Sequence, residues 1–181
     1  MRIGPWKLSI RGKLNLFALV VIAVFTAITY GFVVPMVEEE KRAERRQTLQ
    51  AVVETATSLM QHYEHAIRTR RWQGDPELPR TRREARQRVL AHLRHMRYGE
   101  DEHVFVLDGS GHMVMHPLKP ELAGRDMSQV RAPDGSLPFR DMALQAQQQE
   151  TAFVRYTWQS KWSQSVNEPQ TTCAQYFYPW D

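Results

Sequence analysis

From Leu14 to Val37 the chain carries no charged residue. A helix rises about 1.5 Å per residue, so this run is long enough to cross a hydrocarbon layer of roughly 30 Å. The pattern predicts a transmembrane helix over 14–37. A cleaved signal peptide is the competing reading, but its apolar core is usually only about 7 to 15 residues and ends at a small-x-small site. Here the run is longer, and Tyr30-Gly31-Phe32 and Pro35-Met36 stand where that site would fall.

Beyond the run the pattern becomes amphipathic. Leu49, Val52, Val53, Ala56, Leu59, Met60, Tyr63 and Ile67 recur on one helical stripe, which predicts a long helix from about Glu38 to Trp72. The segment Gln73-Gly74-Asp75-Pro76-Glu77-Leu78-Pro79 breaks it, because prolines and a glycine cannot continue the turns. Thr81 and Glu84 then stand at capping-box spacing. Ala85, Val89, Leu90, Leu93 and Met96 mark a second amphipathic helix, expected to run to about Arg97 and to end at Tyr98-Gly99.

After Gly99 the period drops to two. His103 to Leu107 and His112 to His116 read as strands joined by the turn Asp108-Gly109-Ser110-Gly111. Pro117 and Pro120 force a loop to Gly124, and Ala132-Pro133-Asp134-Gly135 is a further turn. A short helix over Ser136 to Gln149, with Pro138 in its first turn, precedes strands at Ala152 to Trp158 and about Thr171 to Tyr178. Helices first, then strands with one inserted helix, predict an α+β fold with an antiparallel sheet. The domain plan is a tail over 1–13, a membrane helix over 14–37 and one module over 38–181.

Charge changes this picture little. The formal net charge is +4, and Arg80, Arg82, Arg83, Arg86, Arg88, Arg94 and Arg97 hold much of the positive charge. Most of them fall on the solvated face of the second amphipathic helix, with no base-reading or stacking element beside them, which argues against a nucleic-acid partner. Cationic residues flank the apolar run evenly, with Arg2, Lys7, Arg11 and Lys13 before it and Lys41, Arg42, Arg45 and Arg46 after it, so the count does not orient the helix. The short tail without acidic residues favours that end staying in the cytoplasm. Cys173 is the single cysteine, which rules out an internal disulfide.

The residues Tyr98 to Asp108, then Gly111, Met115-His116-Pro117, Pro120-Glu121-Leu122-Ala123-Gly124, Asp134-Gly135 and Val154-Arg155-Tyr156-Thr157-Trp158 carry a more specific pattern. In order and spacing they resemble the single Cache sensor domain, of the sCache_2 type, found in bacterial chemoreceptors and sensor kinases. The resemblance runs from about Glu38 to the last residue. It implies a long helix rising from the membrane beside a PAS-like antiparallel sheet that holds a small ligand, often a short carboxylate. It also implies a periplasmic module on the bacterial inner membrane, and a possible homodimer through the long helix.

The chain departs from the family pattern in places. His103 replaces an aromatic residue two places before Phe105, Thr151-Ala152 replaces glycines, and Gln170 and Cys173 stand where a lysine and a tyrosine are usual. The sequence stops at Tyr178-Pro179-Trp180-Asp181, where relatives continue into a tryptophan-containing strand, a second membrane helix and an output domain. The expectation is therefore a fold cut before its last strand.

A small carboxylate taken from water needs charge-assisted donors on an apolar wall. His116, at a strand end before Pro117, is the leading donor, its ring able to be cationic or neutral near pH 6.5. Tyr98, His103, Lys119 and Arg125 stand at strand or loop ends that could converge on it. Phe105, Tyr156 and Trp158 are expected on the apolar face of the sheet. His62 with His65, and His92 with His95, share helix faces, but no cysteine or carboxylate completes a metal set, so no metal and no cofactor is expected. The chain also lacks a nucleophile elbow, a zinc-protease helix and a phosphate loop, which favours a binding module over an enzyme. An anchored interaction protein that pairs through an exposed sheet edge is the alternative.

Overall fold

The computed structural model describes residues 9–69, 75, 78–99, 102–159 and 167–180. The chain divides into two compact units, Met1–Arg46 and Gln47–Asp181.

In the first unit, helix α1 (Ile10–Ile28) starts at Ser9, whose hydroxyl accepts from the Gly12 amide at 3.2 Å. It continues through a π-helical turn (Thr29–Val33) into α2 (Val34–Arg68). Pro35 has no N–H to give to the carbonyl four residues back, and a widened turn is one way a helix absorbs that loss. The apolar side chains here are uncovered, with Phe17 70% and Phe25 71% exposed. That surface suits lipid better than water. The helix is long and apolar enough to cross a membrane.

In the second unit, α2 contributes Ala56, Leu59, Met60, Tyr63 and Ile67 to a core it shares with Ala85, Val89 and Leu93 of α3 (Arg82–His95). The expected stripe is the buried one. Its predicted end near Trp72, and most of the Gln73–Pro79 break, lie outside the described residues. Thr81 caps α3 by accepting from the Glu84 amide at 3.2 Å, while the Glu84 carboxylate accepts from the Arg80 amide at 2.9 Å. The helix ends two residues before the expected Arg97, at His95. Arg97–Tyr98 (β1) pairs with Glu102–His103 (β2) instead of closing the helix.

The expected strand from His103 to Leu107 is split. His103 belongs to β2, and Val106–Leu107 (β3) pairs with Met113–Met115 (β4) across a register irregularity. At the hairpin turn the Asp108 carboxylate accepts from the amides of Ser110 (3.0 Å) and His112 (2.9 Å). Gly111 sits at φ +94°, where an added Cβ would meet the Ser128 Cβ at 3.3 Å. Only glycine fits there without strain. On its other side β4 is flanked by the next segment, whose Arg125 carbonyl accepts from the Met113 amide at 2.9 Å.

Helix α4 (Pro138–Gln148) buries Phe139, Met142, Ala143 and Ala146, and a proline in its first turn leaves no needed N–H missing. Strands β5 (Ala152–Gln159) and β6 (Asn167–Ala174) pair antiparallel throughout. The strand propensity of the sequence carries the last strand to Tyr178. In the structure that strand stops at Ala174, and Tyr178–Trp180 forms a 3-10 turn that buries Trp180. The fold is α+β, with the described strands in three two-stranded antiparallel sheets. On β4, Met113 enters a second core with Met127 and Phe139, while Met115 enters the first. One short strand therefore ties the two cores together.

Candidate functional site

His116 follows β4 and its ring is half-buried. The ring nitrogen Nδ1 accepts from the backbone amides of Leu118 (3.3 Å) and Lys119 (3.2 Å), a turn that Pro117 makes possible by bending the chain back. With that lone pair engaged, the proton of the neutral ring resides on Nε2. Burial pushes the ring pKa down to about 4, helped by nearby His103 and Lys119 and opposed by Glu121. The ring is therefore neutral at ordinary pH. This corrects the expectation of a group balanced between cation and neutral forms near pH 6.5: leaving water penalises the charged form.

The rings around it form a chain of contacts. His103 lies 4.9 Å from His116 between ring centroids, and Phe105 stacks on His116 at 6.0 Å with planes 10° apart. Phe105 meets Phe139 edge-on at 6.1 Å, Phe139 meets Trp158 at 5.7 Å, and Trp158 meets Tyr156 at 5.9 Å. Tyr156 and Trp158 are two apart on β5 and so share a face. The Tyr156 hydroxyl is 3.0 Å from the Thr172 hydroxyl of β6, and burial raises its pKa. His103 and Phe105 thus flank the His116 ring, and the aromatic chain runs on from Phe105 through α4 to β5.

A second polar centre sits in the first core. Glu64 of α2 is 5% exposed and accepts from Arg82 Nε at 3.1 Å and Nη2 at 2.8 Å, and from Trp180 Nε1 at 2.9 Å. The Arg82 hydrogen bond holds its carboxyl below the usual range, with the Trp180 bond adding and burial opposing. An open cleft of about 360 Å³ lies beside it, lined by Gln61, Glu64, Arg68, Tyr176, Phe177 and Tyr178 among others. His116 does not line this cleft. The Glu64 charge is already taken up by Arg82 and Trp180, so the ring-walled His116 is the better candidate for ligand contact.

A family described as single Cache domain 2 matches residues 41–181. The chain belongs to that family. It is 29% identical over 170 residues to the methyl-accepting chemotaxis protein McpP of Pseudomonas putida, covering 92% of this chain and 29% of that receptor. It thus spans less than a third of that receptor's length. A solved structure described as the periplasmic sensor domain of a chemotaxis protein is 33% identical with a TM-score of 0.65, covering 76% of this chain and 90% of that one. Another, of a Cache chemosensory domain described for carboxylic acid recognition, is 26% identical with a TM-score of 0.66, covering 78% and 90%.

Within this Cache domain the residues singled out by sequence are only partly gathered. His103 and His116 meet, and Lys119 is close enough to act on the His116 ring. Tyr98 lies opposite Glu102 on β1, with Arg97 opposite His103, so Tyr98 sits one register position away from His103. The Lys119 and Arg125 residues are exposed, and Arg125 engages Met113 through its backbone. Sequence reasoning missed Phe139 and Glu64. Phe139 had only the signal of an aromatic residue in the first turn of a short helix. Glu64 had a better one, since it falls between Met60 and Ile67 on the apolar stripe, where a charge needs a buried partner.

Proposed function

We propose that this chain is the membrane-anchored, extracytoplasmic sensor portion of a bacterial chemotaxis-type receptor, and that it binds a short carboxylate. The apolar run over 14–37 would be the anchor, with the tail over 1–13 in the cytoplasm and 38–181 in the periplasm. His116 would donate Nε2–H to the carboxylate, with His103 beside it. Tyr98, Lys119 and Arg125 are secondary candidates at the rim. Phe105, Phe139 and Trp158 would wall the short aliphatic part, where apolar contact favours ligand over water.

One observation carries this reading: a half-buried ring with its donor direction fixed by the backbone, flanked by Phe105 and His103. The likeness to a Cache domain described for carboxylic acid recognition supports the choice of ligand class. Binding would act on α2, and can displace it only if the ligand contacts two arrangements unequally.

The test is a thermal-shift screen of the full chain in detergent against short carboxylates, followed by calorimetry. Stabilisation by at least one of them, abolished in His116→Leu, is the expected result. If none stabilises and the protein instead dimerises with concentration, the reading gives way to an interaction protein.

A further inference from the structure

We propose that the Leu118 and Lys119 amides lock His116 as a neutral Nε2–H donor, so that the ring engages a carboxylate without first taking a proton. This rests on the ligand reading above and specifies how the contact is made. The argument is geometric. Two backbone N–H groups aim at Nδ1, from 3.3 and 3.2 Å. A proton placed on Nδ1 would turn an acceptor into a donor facing two donors, and both bonds would be lost. The turn over Pro117 to Lys119 therefore selects one tautomer and disfavours the cation together.

The charged and titratable groups acting on the ring act mostly in the same sense. His103 on β2 and Lys119 in the turn disfavour a positive ring, and only Glu121, in the 3-10 turn Pro120–Leu122, favours it. Burial is the largest of the influences and acts in the same sense as His103 and Lys119. A neutral donor gives up the ion-pair gain. In return it has no protonation equilibrium to satisfy before binding, and its hydrogen bond to an ionised acceptor remains one of the stronger kinds. Affinity becomes independent of the pH range in which an ordinary histidine would switch.

Two measurements on the full chain in nanodiscs test this. The first uses 15N-labelled histidine, with the His116 signals assigned by their loss in His116→Gln, and needs no ligand. The expected spectrum shows the Nε2–H tautomer from pH 7.5 down to 5.5; an Nδ1–H signal, or titration near pH 6.5, would overturn the lock. The second is calorimetry with acetate at pH 5.5, 6.5 and 7.5. Acetate affinity should vary by less than about twofold, whereas a cationic contact would strengthen it about tenfold as the ring charged. His116→Gln, which keeps a neutral donor, should retain affinity within about fivefold, and His116→Leu should lose about tenfold or more. A Gln variant as weak as the Leu variant would show that charge is required and would sink the proposal. Acetate binding at no pH would instead remove the ligand reading, with the spectrum still deciding the tautomer.

Discussion

Glu64 and His116 are both drawn out of water in the same Cache domain, yet one keeps its charge and the other loses it. Glu64 stays ionised because three donors converge on it, two from the Arg82 guanidinium and one from the Trp180 indole. Around His116 only Glu121 favours a cationic ring, and it is outweighed. The ring's neighbours are Phe105, His103 and backbone amides, and its remaining basic site is used up by them. Burial drives His116 neutral, whereas at Glu64 the Arg82 and Trp180 donors outweigh it. A structural ion pair and the proposed ligand donor thus ask opposite things of their surroundings.

The strongest way to break the contrast is to take away the carboxylate. In Glu64→Ala the buried Trp180 N–H loses its acceptor and α2 loses a link to α3, which should cost about 2–3 kcal/mol in denaturant unfolding. Trp180→Phe, which removes the N–H but keeps the ring, should cost closer to 1 kcal/mol. Equal, negligible losses in both variants would mean that Glu64 is not the clamp described here.

Acidification should separate the two groups in sequence. The His116 ring takes its proton near pH 6.5 in the unfolded chain and only near pH 4 in the folded one, so the unfolded state binds more protons between these values. Stability is then full above pH 6.5 and falls as pH drops toward 4, by on the order of 2 kcal/mol after allowance for partial exposure. Glu64, lowered from 4.5, stabilises the fold above that value and is lost at still lower pH. Melting curves should show two successive declines. The first should flatten in His116→Gln and the second in Glu64→Gln, and a single decline insensitive to both would refute the assignment.

The smallest effect is electrostatic tuning. Lys119→Ala removes a like charge near His116 while leaving the backbone amide in place, so the ring pKa should rise toward its ordinary value. Histidine NMR titration of that variant checks the direction; a fall would contradict it.

The helical half was readable from sequence because its information is periodic. Ala56, Leu59, Met60, Tyr63 and Ile67 repeat often enough to define a face, and Thr81 with Glu84 marks a helix start by local chemistry. The Asp108–Gly111 turn was legible for the same reason, since its carboxylate bonds lie within four residues. The β-rich half was read less well. A period of two continues unbroken from His103 to Leu107, but the partners differ, and no local pattern names a partner. The aromatic residues after Ala174 have strand propensity, yet Phe177 meets Trp180 of the 3-10 turn edge to face at 5.3 Å. In the site, His116 could be found by sequence because it ends a strand before a proline. Its protonation could not, because that depends on amides and rings brought together only by folding.

Cys173 sits on β6 opposite Phe153, buried, with its thiol pKa pushed up to about 11 by that burial. It is the lone sulfhydryl of the chain, held as an unreactive protonated group while that face of β6 stays covered. A thiol-directed dye would therefore attach only as fast as the packing over this face of β6 opens. The wild-type molecule carries its own stopwatch for opening of that packing, and a ligand that tightens the domain should slow it.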